Sequence, residues 1–145
     1  MPKYSVTLRL GIWNVSICQR MKSFSRSGYN DDCFNDHFPL KPVLPGVAIM
    51  EAQHSLAREL ALRQLAERGL TESFPVLCRA EKVKFRLFIQ PGDQMAVEAT
   101  VKSFSEGQCS VATRVTVGGK NAASVLLHFE LPDRAAYMQK YILGR

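Results

Sequence analysis

The pattern of apolar and polar positions along the chain predicts strands at both ends of the sequence and one long helix between them. Alternating residues from 4 to 24 favour two strands, and the polar stretch 23–36 is typical of a loop. Residues 47–68 combine good helix formers with apolar residues at helical spacing, and Gly69 follows as a candidate C-cap. We therefore expect one helix that other structure surrounds.

After Pro75 the apolar residues recur at every second position, which predicts antiparallel strands. Turn residues at 91–94, 105–107 and 118–119 divide this region, and the last strand covers about 122–131. A short helix is expected within 133–145. The sequence thus predicts a single α+β domain over residues 1–145, in which an antiparallel sheet of about five to six strands surrounds one central helix.

A rigid approach to the helix carries the first candidate chemistry. Three prolines and a glycine fall within the eight positions 39–46, and proline fixes its own backbone and restricts the residue before it. His37 precedes this segment and Glu51 lies one turn into the helix. Because imidazole and carboxyl groups often act in general acid–base catalysis, these two residues are the candidate catalytic pair. For His37 alone, a structural loop histidine is the alternative.

Composition narrows the class of protein. The longest apolar runs are too short to span a bilayer, and the N-terminal residues do not resemble a signal peptide. The four cysteines are scattered without a CxxC pair, which favours reduced thiols in the cytoplasm over a zinc site or disulfides. The net charge of +6 favours an acidic partner. Since the basic residues form no run or known nucleic-acid motif, we expect no nucleic acid and no membrane as partners.

The residues around the candidate pair resemble a known family. The sequence HFP at 37–39, PVLPGV at 42–47 and Glu51-Ala52 are similar to the signature of bacterial (3R)-hydroxyacyl-acyl-carrier-protein dehydratases of the FabA/FabZ type. Downstream, KFR at 84–86 and PGDQ at 91–94 resemble the family's basic strand and following turn. Several specific residues at fixed spacing make this signal more specific than a lone histidine and glutamate.

The resemblance implies a hot-dog fold and a homodimer, or a higher assembly of dimers, with sites at the subunit interface. It implies that His37 of one subunit faces Glu51 of the other. The reaction would be elimination of water from a 3-hydroxyacyl thioester, with neutral His37 as base and Glu51 as acid. Burial on the apolar helix flank would raise the pKa of Glu51. The Gly46 N–H would stabilise the thioester carbonyl, and no metal or other cofactor is implied.

Further site residues follow from the same resemblance. An acidic acyl carrier protein would deliver the substrate on its phosphopantetheine arm, and the candidates for docking it are Lys41, Lys84 and Arg86. The candidates for lining an acyl tunnel are Phe38, Leu40, Val47 and Phe85, for each of which plain core packing is the alternative.

Two departures from the family pattern concern specificity. Leu40 stands where the family commonly has glycine, and the helix reads EAQHS at 51–55 where the family usually has EAMAQ. His54 is thus either a partner of Glu51 or a surface histidine without a role. The pathways considered are fatty-acid, polyketide and aryl-polyene biosynthesis. The alternatives to a dehydratase are a hot-dog thioesterase and a non-catalytic acyl- or partner-binding module.

Overall fold

A computed structural model describes residues 3–9, 14–17, 24–25, 43–90 and 93–144. Its strands form one antiparallel sheet in the order β3-β2-β1-β5-β6-β7-β4. The strands are β1 (Lys3–Arg9), β2 (Asn14–Ile17), β3 (Phe24–Ser25), β4 (Val76–Phe85), β5 (Gln94–Ser105), β6 (Gln108–Val117) and β7 (Lys120–Glu130). Within the described residues the sheet therefore has seven strands where about five to six were predicted, because the two-residue β3 lies within the stretch that was expected to be a loop.

The long helix α1 (Gly46–Glu67) packs against β5, β6 and β7. Its inward residues include Leu56, Leu60 and Leu65, each at most 7% exposed. The alternate residues of β5 and β6 that were predicted to share a face are buried beneath it: Met95, Val97, Ala99, Val101, Val111, Thr113 and Val115. A single core thus lies between the helix and one face of the sheet, and the predicted architecture is confirmed.

Glycines end the helix and turn the chain where the sequence indicated. Gly69 adopts a left-handed backbone with φ of 71°. Its N–H donates to the Ala66 carbonyl, and that of Leu70 donates to the Leu65 carbonyl, which is the Schellman pattern. Gly118 and Gly119 both have positive φ and close the two-residue hairpin between β6 and β7.

Strand β4 lies at one edge of the sheet, so its apolar side chains stay outside the protomer's core. Val83, Phe85 and Leu87, three of the apolar residues that recur at every second position, are 43%, 50% and 39% exposed. Phe88, just beyond the strand, is 68% exposed. A row of exposed apolar residues along the outermost strand, as the described residues show here, is a surface that proteins normally cover.

The chain ends in the predicted C-terminal helix. The helix α2 (Arg134–Tyr137) is capped by the Asp133 side chain, which accepts a hydrogen bond from the Ala136 N–H. A π-helical segment, Met138–Leu143, continues it. No helix in the described part of the chain is long and apolar enough to cross a membrane.

Candidate active site

The start of α1 is fixed by the chain on either side of it. Pro45 is the N-cap residue, with the φ of −57° that its ring imposes, and Gly46 is the first helical residue. Val43 and Leu44 are buried, and the Leu44 N–H donates to the Ile89 carbonyl at 2.7 Å. Leu44, just before the helix, therefore joins the helix N-terminus to the segment that follows β4.

The ring of Phe85 lies against the backbone of Gly46. A Cβ placed on Gly46 would be 3.2 Å from the Phe85 Cζ, closer than side-chain carbons normally approach. An α-helix leaves the N–H groups of its first turn without a partner inside the helix, and its dipole makes that end electropositive. The structure thus brings together Gly46 and Phe85, and it places both beside an end that favours developing negative charge.

Glu51 lies on the face of α1 that points away from the sheet. It is exposed in the protomer, whereas Gln53, on the opposite side of the helix, is 0% exposed. The expectation that the apolar flank of the helix buries Glu51 is therefore wrong for the single chain. Its sequence neighbours are apolar, but they face the core while the carboxylate faces outward.

The remaining predicted site residues divide into exposed ones and ones outside the described residues. Val47, in the first turn of α1, is 79% exposed, so neither Val47 nor Phe85 is enclosed by the protomer. Lys84 and Arg86 are exposed on and just after β4, and the Arg86 Nη1 donates to the Ser124 Oγ at 3.4 Å. The other four predicted site residues lie outside the described residues: His37, Phe38, Leu40 and Lys41.

His54 is one turn beyond Glu51 and is partly buried. Its ring stacks on the buried Phe129 ring, with centroids 5.9 Å apart and planes 18° from parallel. Burial is the main cause that lowers the pKa of His54, the positive charge of Arg58 adds to it, and the negative charge of Glu51 opposes it. His54 is therefore neutral at pH 7 and within electrostatic reach of Glu51. The spacing in the sequence predicted that His54 lies near Glu51, but it could not predict that the His54 ring stacks on Phe129.

Among the described residues, no group of three or more His, Cys, Asp or Glu side chains is arranged to hold a metal ion. Cys78 is an exposed free thiol and Cys109 a buried one.

Comparison with known proteins gives the family. Residues 25–125 match the family described as ApeI-like, ApeI dehydratase. The chain belongs to the ApeI-like dehydratase family. The matched range contains both His37 and Glu51, and the prediction of a dehydratase is confirmed.

Curated relatives of this ApeI-like dehydratase carry the name 3-hydroxyacyl-[acyl-carrier-protein] dehydratase FabZ. The protein from Rickettsia felis is 32% identical over 133 residues, which are 92% of this chain and 90% of that protein. The protein from Thermus thermophilus is 35% identical over 115 residues, which are 78% of each chain.

Solved structures confirm the hot-dog fold of the ApeI-like dehydratase. A hot-dog-like protein from Thermanaerovibrio acidaminovorans has a TM-score of 0.70 at 14% identity, over 99% of this chain and 90% of that one. An acyl-CoA hydrolase from Staphylococcus aureus has a TM-score of 0.61 at 15% identity, over 92% and 65%. A hexameric thioesterase from Yersinia pestis has a TM-score of 0.56 at 15% identity, over 65% and 76%. At these identities the likeness shows the fold alone.

Proposed function

We propose that the protein eliminates water from a (3R)-3-hydroxyacyl thioester carried on acyl carrier protein and releases the trans-2-enoyl thioester. A C2–H bond and the C3–O bond break, a C2=C3 double bond forms, and the hydroxyl leaves as water. The curated FabZ relatives at 32–35% identity support this substrate class. The pathway stays a prediction among fatty-acid, polyketide and aryl-polyene synthesis.

Each step has a residue suited to it. Neutral His37, with an ordinary pKa near ~6.5, takes the C2 proton around neutral pH. Glu51 delivers a proton to the departing hydroxyl, directly or through a water molecule. Negative charge develops on the thioester carbonyl as the C2 proton leaves, and the Gly46 N–H at the helix N-terminus stabilises it. These steps require no metal or organic cofactor.

The position of Glu51 carries the proposal. Glu51 is five residues beyond Gly46 on α1 and is exposed. A helix rises about 1.5 Å per residue, so roughly 7–8 Å of helix axis separate the carboxyl-bearing residue from the carbonyl-binding N–H. The reacting C1 and C3 positions of the substrate are two bonds apart, and the glutamate side chain with a relaying water molecule covers the rest of this distance. The exposed side chains of Val47 and Phe85 flank this stretch and provide an apolar surface for the acyl chain.

We propose that a second copy of the chain completes the site. Strand β4 is the last strand of the sheet in the described part of the chain, and on it and just after it Val83, Phe85 and Phe88 are 43–68% exposed. Covering this surface with another subunit would remove the apolar groups from water and reduce the exposure of the site. In this dimer His37 of one subunit faces Glu51 of the other, and an assembly of dimers extends the same arrangement.

An acidic acyl carrier protein is the proposed partner that delivers the substrate. Lys84 and Arg86 are exposed beside Phe85, and Lys41 precedes the helix in sequence. Their positive charges favour docking of the carrier next to the apolar surface. A cytoplasmic location, where acyl carriers would be encountered, is part of this proposal.

The test is an assay of enoyl formation from 3-hydroxyacyl carrier thioesters of several chain lengths, run beside His37→Ala and Glu51→Gln. Each substitution should lower kcat by about 100-fold or more, since each removes one proton-transfer group. Glu59→Gln is the matched control, because Glu59 lies on the same helix and, among the described residues, its carboxylate pairs with Arg63 at 3.6 Å. It should leave kcat within about twofold of the wild type.

The same assay separates the alternatives. Release of free thiol from simple acyl thioesters without enoyl product would identify a thioesterase. Full biological activity in both His37→Ala and Glu51→Gln would identify a non-catalytic binding module. Either result would overturn the dehydratase proposal.

A further inference from the structure

The pairing of β4 with β7 is interrupted just before the strand reaches Phe85. The register shifts between Leu77 and Arg79, and again between Glu81 and Lys84, so β4 contains two irregularities. At the second one Lys82 has φ of 53°, a left-handed conformation that L-residues other than glycine rarely adopt. Backbone of this kind persists only where the surrounding structure holds it.

Three side chains join β4, β7 and β6 on the outer face of the sheet beside this irregularity. The Glu81 Oε2 is 3.0 Å from the His128 Nε2, and the His128 Nδ1 is 2.8 Å from the Ser110 Oγ. The other oxygen of Glu81 pairs with the Arg79 Nε at 3.1 Å. This cluster, the Glu81–His128–Ser110 chain, therefore ties the edge strand to two inner strands.

The hydrogen bonds of the Glu81–His128–Ser110 chain can form with the His128 ring either neutral or charged. The Glu81 carboxylate accepts from the Nε2–H, so in the neutral ring Nδ1 accepts from the Ser110 hydroxyl. In the charged ring Nδ1 donates to the Ser110 oxygen instead. The hydrogen bond from His128 is the main cause that lowers the pKa of Glu81, so the carboxylate remains ionised at neutral pH.

The Glu81–His128–Ser110 chain has the residue types of a nucleophilic triad, but the described strands around Ser110 leave no free backbone donors for an oxyanion. Ser110 lies on β6, between β5 and β7, and these neighbours use the backbone N–H groups of β6 for the sheet ladders. Acyl transfer needs such donors to be directed at the developing oxyanion. Holding the strand in place is therefore the role that the geometry supports.

The second irregularity determines where Phe85 lies. Regular pairing resumes at Lys84–Ser124 and Phe85–Ala123, two residues after the left-handed Lys82. Without the extra residue, the strand would return to the ordinary register and Phe85 would move away from Gly46. We propose that Glu81, His128 and Ser110 are positioning residues that hold the bulged register of β4 and thereby keep the Phe85 ring over Gly46. For the reaction itself, this inference rests on the proposed function.

The first readout is amide hydrogen exchange of the protein without substrate, which does not depend on activity. Glu81→Ala and His128→Ala should each speed exchange of the amides in 83–87 by about tenfold, while 95–101 in β5 stay unchanged. The matched control is Glu98→Ala, which breaks the 2.6 Å Glu98–Arg114 pair on the same face of the sheet, away from β4. It should leave exchange in 83–87 unchanged.

The second readout is enoyl formation from a small 3-hydroxyacyl thioester, which does not depend on carrier docking. Glu81→Ala and His128→Ala should each lower kcat/KM about tenfold, and the double variant should be no worse than either, because the residues act as one unit. Adding Lys82→Gly to Glu81→Ala should restore most of the activity, since glycine adopts positive φ without strain. Glu98→Ala should stay within twofold.

The outcomes are distinguishable. If Glu81→Ala and His128→Ala match Glu98→Ala in both readouts, or if all three lose protection throughout the sheet, the positioning role is wrong. If exchange in 83–87 rises as expected but the wild type forms no enoyl product, the positioning role stands and the proposed function falls.

Discussion

Phe85 and Gly46 are in contact although 39 residues separate them in sequence, and the glycine leaves room for the ring. A Cβ at position 46 would be 3.2 Å from the Phe85 Cζ. The contact joins the only described helix N-terminus near the candidate site to the edge strand, so substitutions on either side should affect the same geometry.

Gly46→Ala should lower kcat/KM about tenfold without lowering the midpoint of thermal unfolding. The new methyl pushes the Phe85 ring by a few tenths of an ångström over the N–H that is proposed to bind the carbonyl. Alanine is also the better helix former, so the fold does not suffer. Kinetics and thermal unfolding of the single and double variants check this. Gly46→Ala combined with Phe85→Ala should be no worse than Phe85→Ala alone, because both changes act on one contact, and additive losses would mean that the ring contact is not the cause.

Reversing the charges of Lys84 and Arg86 should weaken use of a carrier-bound substrate. Lys84→Glu with Arg86→Glu should raise KM for the acyl-carrier substrate about tenfold and leave KM for a small thioester unchanged. The effect should shrink at high ionic strength, because salt screens exposed charges. Lys120→Glu, at the exposed start of β7, is the control, with half the charge change of the double variant. An equal rise in KM for both substrates would exclude a docking role.

Gln53 and Thr113 form a buried polar pair, and the effect of each residue on the free energy of unfolding can be measured separately. The Gln53 Nε2 donates to the Thr113 Oγ1 at 3.0 Å, and Thr113 donates to the Val125 carbonyl. The buried Gln53 Oε1 has no hydrogen-bond partner among the described residues. Gln53→Met removes this orphan at similar volume and should raise the free energy of unfolding by roughly 1 kcal/mol.

Thr113→Val should act in the opposite direction. It leaves the Gln53 amide without its acceptor and should lower the free energy of unfolding by about 1–3 kcal/mol. The double variant should lie close to the wild type, because both polar groups are then gone. Denaturant unfolding measures all three, with Thr100→Val on the other face of the sheet as control. Destabilisation by Gln53→Met would show that its Oε1 is satisfied in solution.

The two described cysteines should differ in reactivity. Burial raises the pKa of the Cys109 thiol to about 11, although the charge of Arg68 opposes the shift. The thiolate is the reactive form, so Cys109 should resist alkylation at pH 8 while the exposed Cys78 is modified. Peptide mapping after a short iodoacetamide treatment distinguishes them, and labelling of Cys109 should increase as the pH approaches 11. Rapid labelling of Cys109 at pH 8 would contradict the prediction.

The sequence predicted the elements whose local pattern matches their burial. The helix from Gly46 to Glu67 and the strand with Met95, Val97 and Val101 were recognised because the core covers one face of each. The outward direction of Glu51 could not be predicted, since its neighbours in sequence are apolar but face the other way. The exposure of Phe85 was missed for a different reason. Whether a strand lies at an edge depends on the order of strands in the whole sheet.

The Glu81–His128–Ser110 chain on the outer face of the sheet could likewise not be predicted from the local sequence pattern. Glu81 and His128 are 47 residues apart, and their contact depends on both the pairing of β4 with β7 and the irregular register at Lys82. Neither property leaves a periodic signal.

The two irregularities in β4 also bear on solubility. A straight apolar edge strand is a template on which copy after copy can stack, as in fibrils. The register shifts around Cys78 and Lys82 distort this edge, and such bulges disfavour open-ended strand addition. The same backbone distortion that sets Phe85 in place thus limits how many chains can join along that side.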